Sequence, residues 1–303
     1  MNSAYIASIV NSTLRSTTPI LLAALGCAIC SRVGVFNIAL EAQMLIACFC
    51  SIVVNYFTGS VILSVLAGIV SGALVGAVVA VLQVKYKAPD MVIGTSLNLL
   101  INGLTTFLLY MIFDVRGRLV DERLVPIYKI NLPVIKDIPF LGRVLENLTI
   151  IDYLCYVIAI VLFIFLFKTV AGYRTLSVGI NKAAAESLGT KGTRIQMWMV
   201  ILSGALCGLG GTALSMGQVT MFTENMTSGR GFIAMAASSL GMSHPLLVIF
   251  SSLFFGLCQG IGVALQNVIK SQLTSALPYI ATIVALVIFS RRTTSSGKLR
   301  KKG

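Results

Sequence analysis

Apolar residues run in long unbroken stretches along this chain, separated by short polar breaks. Nine runs approach the length needed to cross a hydrocarbon layer of ~30 Å: Ile6–Cys30, Val35–Tyr56, Val61–Val84, Met91–Phe113, Ile150–Phe167, Met197–Val219, Phe222–Leu240, Pro245–Ile269 and the shorter Leu277–Ser290. The runs are continuous rather than alternating, so they predict helices and not the strands of an outer-membrane barrel. A helix satisfies its own backbone hydrogen bonds, which lipid cannot do. The pattern predicts an all-α, polytopic transmembrane bundle in one domain covering 1–303, with about eight to ten membrane helices. The seventh run is the weakest, because its first half is polar and glycine-rich.

Composition excludes a water-soluble globule. Apolar residues make up 57% of the chain and charged residues 11%, and mean hydropathy is +0.94. A folded domain in water carries about a quarter charged residues. The net charge of +13 does not point to nucleic acid, because the basic residues sit in short loops and a tail. Lys85 and Lys87, the 168–196 connection with Lys168, Arg174, Lys182, Lys191 and Arg194, and the 291–303 tail are basic. By the positive-inside rule these three belong in the cytoplasm, and the C-terminus with them. The 114–148 loop mixes both signs and belongs outside. Met1–Val10 lacks the basic start and cleavage site of a secretory leader.

Close helix packing is written into the glycines. Gly68, Gly72 and Gly76, then Gly204/Gly208 and Gly256/Gly260, repeat the G-x-x-x-G spacing. Ser71-Gly-Ala-Leu74 recurs as Ser203-Gly-Ala-Leu206, and Gly34–Ala39 loosely echoes Gly231–Ala234; matches this short arise readily in Gly/Ala-rich helices. Cys27 and Cys30 form a C-x-x-C, but no second ligand pair or nearby His accompanies them, so no metal or cofactor is expected.

Four places carry candidate chemistry. Glu41 lies within an apolar run, and Asn37 shares its face if the segment is helical. A polar patch along a solute path and a hydrogen bond between helices both fit. Gln218–Phe232 interrupts the apolar pattern with Glu224, Asn225 and Gly229-Arg-Gly-Phe232. It reads as an outside turn whose second part leads into a pathway-lining helix. Asn98 and Asn102 are four apart on one helix and suit either a polar solute or helix glue. In the 168–196 connection, Asn181 is a good N-cap, 183–188 are mostly helix formers and Gly189 suits the position after the last turn. This predicts a short surface helix able to lie in a partner's groove. No phosphate-binding loop and no catalytic motif occurs, so the chain is not read as an enzyme. His244, between Ser243 and Pro245, marks a helix start.

Val33-Gly-Val-Phe-Asn-Ile-Ala-Leu-Glu-Ala-Gln-Met44 resembles the GVxNIxLEGQM signature of permeases from nucleoside and simple-sugar ATP-binding-cassette importers. So do Gly179-x-Asn181-x-Ala183-Ala184 followed by Gly189, and Gly229-Arg-Gly-Phe-Ile-Ala234. The resemblance runs from about Thr13 to Arg291. It departs at Ala42, where the family usually has Gly, and at a first helix that longer relatives carry.

The resemblance implies a ribose-type importer transmembrane domain in the bacterial plasma membrane, translocating nucleosides or, alternatively, a ribose- or galactose-like monosaccharide. It implies pairing with a second permease as a heterodimer, cytoplasmic ATPase subunits and an extracellular lipid-anchored binding protein. It places Asn181, Ala183, Ala184, Glu186 and Gly189 at the ATPase, and Asn37, Glu41, Asn98 and Phe232 along the solute path. An ion-coupled secondary transporter is the competing class, with Glu41 and Glu224 as its only carboxylate candidates.

Overall fold

The computed structural model describes residues 3–130, 146 and 148–265. The ninth apolar run and the basic tail lie outside the described residues. Ten α-helices follow one another in the described part: α1 Ser3–Arg32, α2 Leu40–Thr58, α3 Val61–Ala80, α4 Asp90–Phe113, α5 Ile150–Lys168, α6 Val170–Ile180, α7 Lys182–Ser187, α8 Gly192–Thr212, α9 Arg230–Leu240 and α10 Pro245–Leu265. Short π-helical turns at Val81–Lys85 and Ala213–Val219 lengthen α3 and α8. Seven of these helices are long and apolar enough to cross a membrane. The helical, polytopic architecture is as the sequence predicts.

Two predicted spans need correcting. The run 222–240 does not form one helix. Phe222–Thr223 is a strand (β4) paired antiparallel with Arg118–Leu119 (β1), and only Arg230–Leu240 is helical. Eleven residues rise about 16 Å, half of a hydrocarbon layer of ~30 Å. Gly229, at φ +75°, sets the backbone turn that starts the helix. The run 35–56 also starts late, at Leu40. Gly34 (φ +74°) ends α1, and the Asn37 side chain accepts a hydrogen bond from the Ala39 amide (3.0 Å). That local turn competes with helix. Asn37 and Glu41 therefore do not share a helical face.

Antiparallel α3 and α8 pack through glycine. A side chain on Gly72 would strike the Gly204 backbone, and one on Gly204 would strike Gly72. These are the second residues of the two Ser-Gly-Ala-Leu segments, so the repeated motif is a reciprocal contact. Gly256 and Gly260 of α10 sit likewise on Thr17 and Thr13 of α1. In lipid such close approach replaces the missing hydrophobic force between helices. Outward-facing apolar side chains remain exposed on α3 (Ile62, Leu66, Val70, Leu74), α4 (Leu99, Phe107, Met111) and α5 (Val157, Ile160, Ile164).

The ends of the bundle differ. At one end Lys87 and Lys182 border a common cavity, and Arg32 lies over the Phe167 ring beside Lys168. Of the three basic segments, Lys85/Lys87 and the 168–196 connection lie within the described residues, and both gather at this basic end. At the other end the Asn55 amide holds Val125 through both backbone groups (3.2 and 2.8 Å), and Glu224 accepts from the Gly117 amide (2.9 Å). A second small ribbon joins Lys129–Ile130 (β2) to Leu148–Thr149 (β3) there. Asp152 completes a capping box with Thr149 at the start of α5.

Candidate functional site

Two motifs far apart in sequence meet at Glu41. Its Oε1 accepts from the Gly229 amide and its Oε2 from the Gly231 amide, both at 2.7 Å. The carboxylate thus caps the N-terminus of α9, where unpaired amides and the helix dipole both favour negative charge. Gly231 is required by contact: a β-carbon there would lie 2.6 Å from the Glu41 amide nitrogen and 2.7 Å from Oε2.

The depth of this junction follows from α8. Asn37 donates to Ser203 Oγ (3.3 Å), and Cys48 donates to the Gly211 carbonyl (3.1 Å). Glu41 lies between Asn37 and Cys48, hence near the middle of the 28-residue Gly192–Val219 rod. The half-helix α9 runs from there to the basic end. At that end the Arg32 guanidinium donates to the carbonyls of Ser243 (2.8 Å) and Met242 (3.0 Å), in the turn after α9. Arg32 and Glu41 flank the non-helical stretch 33–39. One short segment therefore grips α9 at both ends, with a carboxylate at its positive end and a guanidinium beyond its negative end. His244 stacks on Phe167 at 4.9 Å between centroids. Burial, with Arg32 beside it, holds its imidazole below the ordinary value.

The stretch 33–39 has no helical ladder, so side-chain amides from three helical elements serve its carbonyls. Gln196 donates to Val33 (2.9 Å), Gln83 to Phe36 (3.3 Å) and Asn98 to Ile38 (3.2 Å). Asn98 also accepts from the Ala42 amide (2.9 Å). Irregular backbone at membrane depth persists only where protein or water satisfies it.

Beside this junction lies a cavity of about 430 Å³, lined by Glu41, Ala42, Leu45, Thr95, Asn98, Leu99, Asn102, Asn225, Gly229 and Phe232. Small-molecule pockets are typically ~300–1,000 Å³. Glu41, Asn98 and Phe232 come together on its wall. Asn37 does not: it is fully buried, bonded to Gln43 and Ser203. Thr95 was missed by sequence reasoning, although its three-residue spacing from Asn98 puts the 95, 98 and 102 side chains in one stripe of α4. The wall offers amide and hydroxyl groups, a half-exposed aromatic ring and aliphatic surface. That set can hold a small solute with one flat apolar face and several hydroxyls. Among the described residues, no group of three or more His, Cys, Asp or Glu side chains gathers as a metal site.

The other candidates lie at the basic end. The short helix α7 forms as predicted, its N-cap Asn181 accepting from the Ala184 amide (3.1 Å). Gly189 follows it at φ +82°. Ala183, Ala184 and Glu186 are exposed on α7. A further helix, α6, precedes it, in a segment for which the sequence predicts only loop. Thr169 caps it by accepting from the Gly172 amide.

The sequence model of the family described as "Branched-chain amino acid transport system / permease component" matches residues 9–287. The guanosine ABC transporter permease protein NupQ of Bacillus subtilis is 34% identical, with 94% of this chain and 92% of that protein covered. The nucleoside ABC transporter permease protein NupC of Lactococcus lactis is 33% identical, covering 93% and 92%. The putative glucose ABC transporter permease protein TsgC13 of Haloferax volcanii is 28% identical, covering 96% and 94%. No solved structure matches the chain significantly.

Proposed function

We propose, from the premise that this chain belongs to the family of branched-chain amino acid transport system permease components, that it is the membrane-spanning permease of an ATP-binding-cassette importer for nucleosides. Being a permease component, it is a transport subunit and not an enzyme. The observation that carries the reading is the mid-depth cavity beside two interrupted helices. Transporter sites form where half-helix ends and irregular backbone meet near the bilayer midplane. Solute passes Glu41, Asn98 and Phe232, with Thr95, Asn102 and Asn225 offering further polar contacts. A nucleobase stacks on Phe232, a contact worth ~1–3 kcal/mol per base, while ribose hydroxyls meet the amides of α4. Asn37 serves the path indirectly, by fixing the turn that sets Glu41. Glu41 itself shapes the wall by holding α9.

The partners follow from the same reading. Separate ATPase subunits sit on the cytoplasmic side and touch Asn181, Ala183, Ala184, Glu186 and Gly189. An extracellular lipid-anchored binding protein delivers the solute. A second permease, related but different, covers the exposed face of α4 and closes the cavity. The protein resides in the bacterial plasma membrane with the 114–148 loop outside and the 168–196 connection and C-terminus inside. A monosaccharide is the second reading, favoured by likeness to the putative glucose permease.

The test is uptake by the assembled importer, with guanosine, uridine, ribose and glucose as competing solutes. Phe232→Ala is expected to raise the KM for nucleosides about tenfold, with Phe232→Tyr near wild type. Unchanged nucleoside uptake in Phe232→Ala, or uptake of hexoses alone by the wild type, would overturn the assignment.

A further inference from the structure

We infer that Lys182 and Gln196 are positioning residues that tie the cytoplasmic helix α7 to the clamp on α9; the inference rests on the importer reading above. The path is continuous. Lys182, the first residue of α7, donates its ammonium to Gln196 Oε1 at 2.8 Å. The same amide donates through Nε2 to the Val33 carbonyl at 2.9 Å. Gln196 is buried near the start of α8. It therefore uses its acceptor toward α7 and its donor toward the non-helical stretch. Val33 is the first residue of that stretch, next to Arg32, which grips the turn after α9. At the far end of the stretch Glu41 grips the start of α9.

Backbone packing supports the same connection. Gly179 lies against the Arg32 carbonyl and 3.2 Å from the Val33 α-carbon, measured from where its β-carbon would be. Any side chain at Gly179 would push α6 off this point. The end of α6, the start of α7 and the start of stretch 33–39 are thus assembled as one joint.

The stretch is suited to transmit a displacement. A helix holds its carbonyls in a cooperative ladder, whereas Val33, Phe36 and Ile38 each depend on one amide side chain from a different helical element. Losing one of these bonds does not unzip the others, as it would in a helical ladder. A cavity of about 160 Å³ bordered by Gly34, Gln83, Lys182 and Gln196 leaves room beside the joint. A pull on α7 is delivered to Val33, then to Arg32 and Glu41, and so to both ends of the half-helix that walls the solute cavity. Two sites count as coupled only when an element between them has two arrangements that both sites bias. Under the inferred coupling, the segment 32–41 together with α9 takes that part, moving between the arrangement seen here and a second one when α7 is displaced.

The experiment uses the complete importer, permease with its ATPase and binding partners, reconstituted in vesicles. Solute moved per ATP hydrolysed is the readout. Gln196→Leu keeps the volume but removes both hydrogen bonds, and is expected to lower the ratio about tenfold while the ATPase still copurifies. Lys182→Met should reproduce the effect, Lys182→Arg should restore it, and the double variant should be no worse than Gln196→Leu alone. A wild-type ratio in folded Gln196→Leu overturns the inference. So does equal loss in Lys182→Met and Lys182→Arg. Should Gln196→Leu fail to insert, the Lys182 pair decides by itself. Wild-type uptake that needs no ATP refutes the importer reading instead, and is seen before any variant is made.

Discussion

Glu41 illustrates how one residue at membrane depth is stabilised. A carboxylate in hydrocarbon is costly and needs partners. Here the partners are the Gly229 and Gly231 amides at 2.7 Å each, and charge-assisted bonds of this kind contribute ~1.5–3 kcal/mol apiece. Glu41→Ala leaves both amides unpaired and is expected to destabilise the protein by about 3 kcal/mol, read as a lower denaturation temperature in detergent. Glu41→Gln should lose nearly as much. A neutral amide has one acceptor oxygen and turns an N–H toward the second backbone donor. A Glu41→Gln variant as stable as wild type would contradict the two-pronged cap. Gly231→Ala should be at least as damaging, because its β-carbon would collide with the residue that caps it.

Among the elements, α3 and α8 cross closely along three successive glycines. Reciprocal glycines let their backbones touch, and the rise per turn brings Gly68, Gly72 and Gly76 against Thr212, Gly208 and Gly204 in sequence. Gly72→Val is expected to cost ~1–3 kcal/mol by overpacking, measured as faster proteolysis and lower thermal stability in detergent. Gly103→Val on α4 is the matched control, since nothing lies within 4 Å of its β-carbon position. Equal loss at both positions would mean that β-branching in the helix, and not the crossing, sets the cost. The half-helix α9 is the other instructive element. Its eleven residues cannot span a bilayer, and its place is held by groups outside it, Glu41 at one end and Arg32 past the other.

For the whole molecule, the two ends of the bundle differ in charge and in the elements they carry. The basic end carries α6, α7 and the Arg32 joint; the opposite end carries the two small ribbons. Ala184→Glu adds bulk and negative charge to an exposed position of α7. It is expected to abolish ATP-driven uptake while membrane insertion and the cavity remain intact, measured by uptake in vesicles and by copurification of the ATPase. Retained uptake with a bound ATPase would remove α7 from the docking surface. A cysteine at Ala183 is expected to react with a membrane-impermeant thiol reagent only after cells are opened; labelling of intact cells would invert the orientation.

The apolar pattern alone determined that this chain is a helical membrane protein, because no aqueous fold can hide so much oily surface. Residue chemistry alone also determined the short capped helix α7, since N-caps and positive-φ glycines act over a few neighbours. Glu41, Asn98 and Phe232 were legible as candidates because polar, charged or motif-borne residues stand out in apolar sequence. What only tertiary structure decided was the partnership between them. The turn before α9 was legible in the mostly polar residues 223–229, whereas 35–56 looked continuous and yet is helical only from Leu40. Hydropathy records how much apolar surface a segment carries, whereas a break at depth depends on whether distant side chains, here Gln83, Asn98 and Gln196, are present to satisfy the exposed backbone.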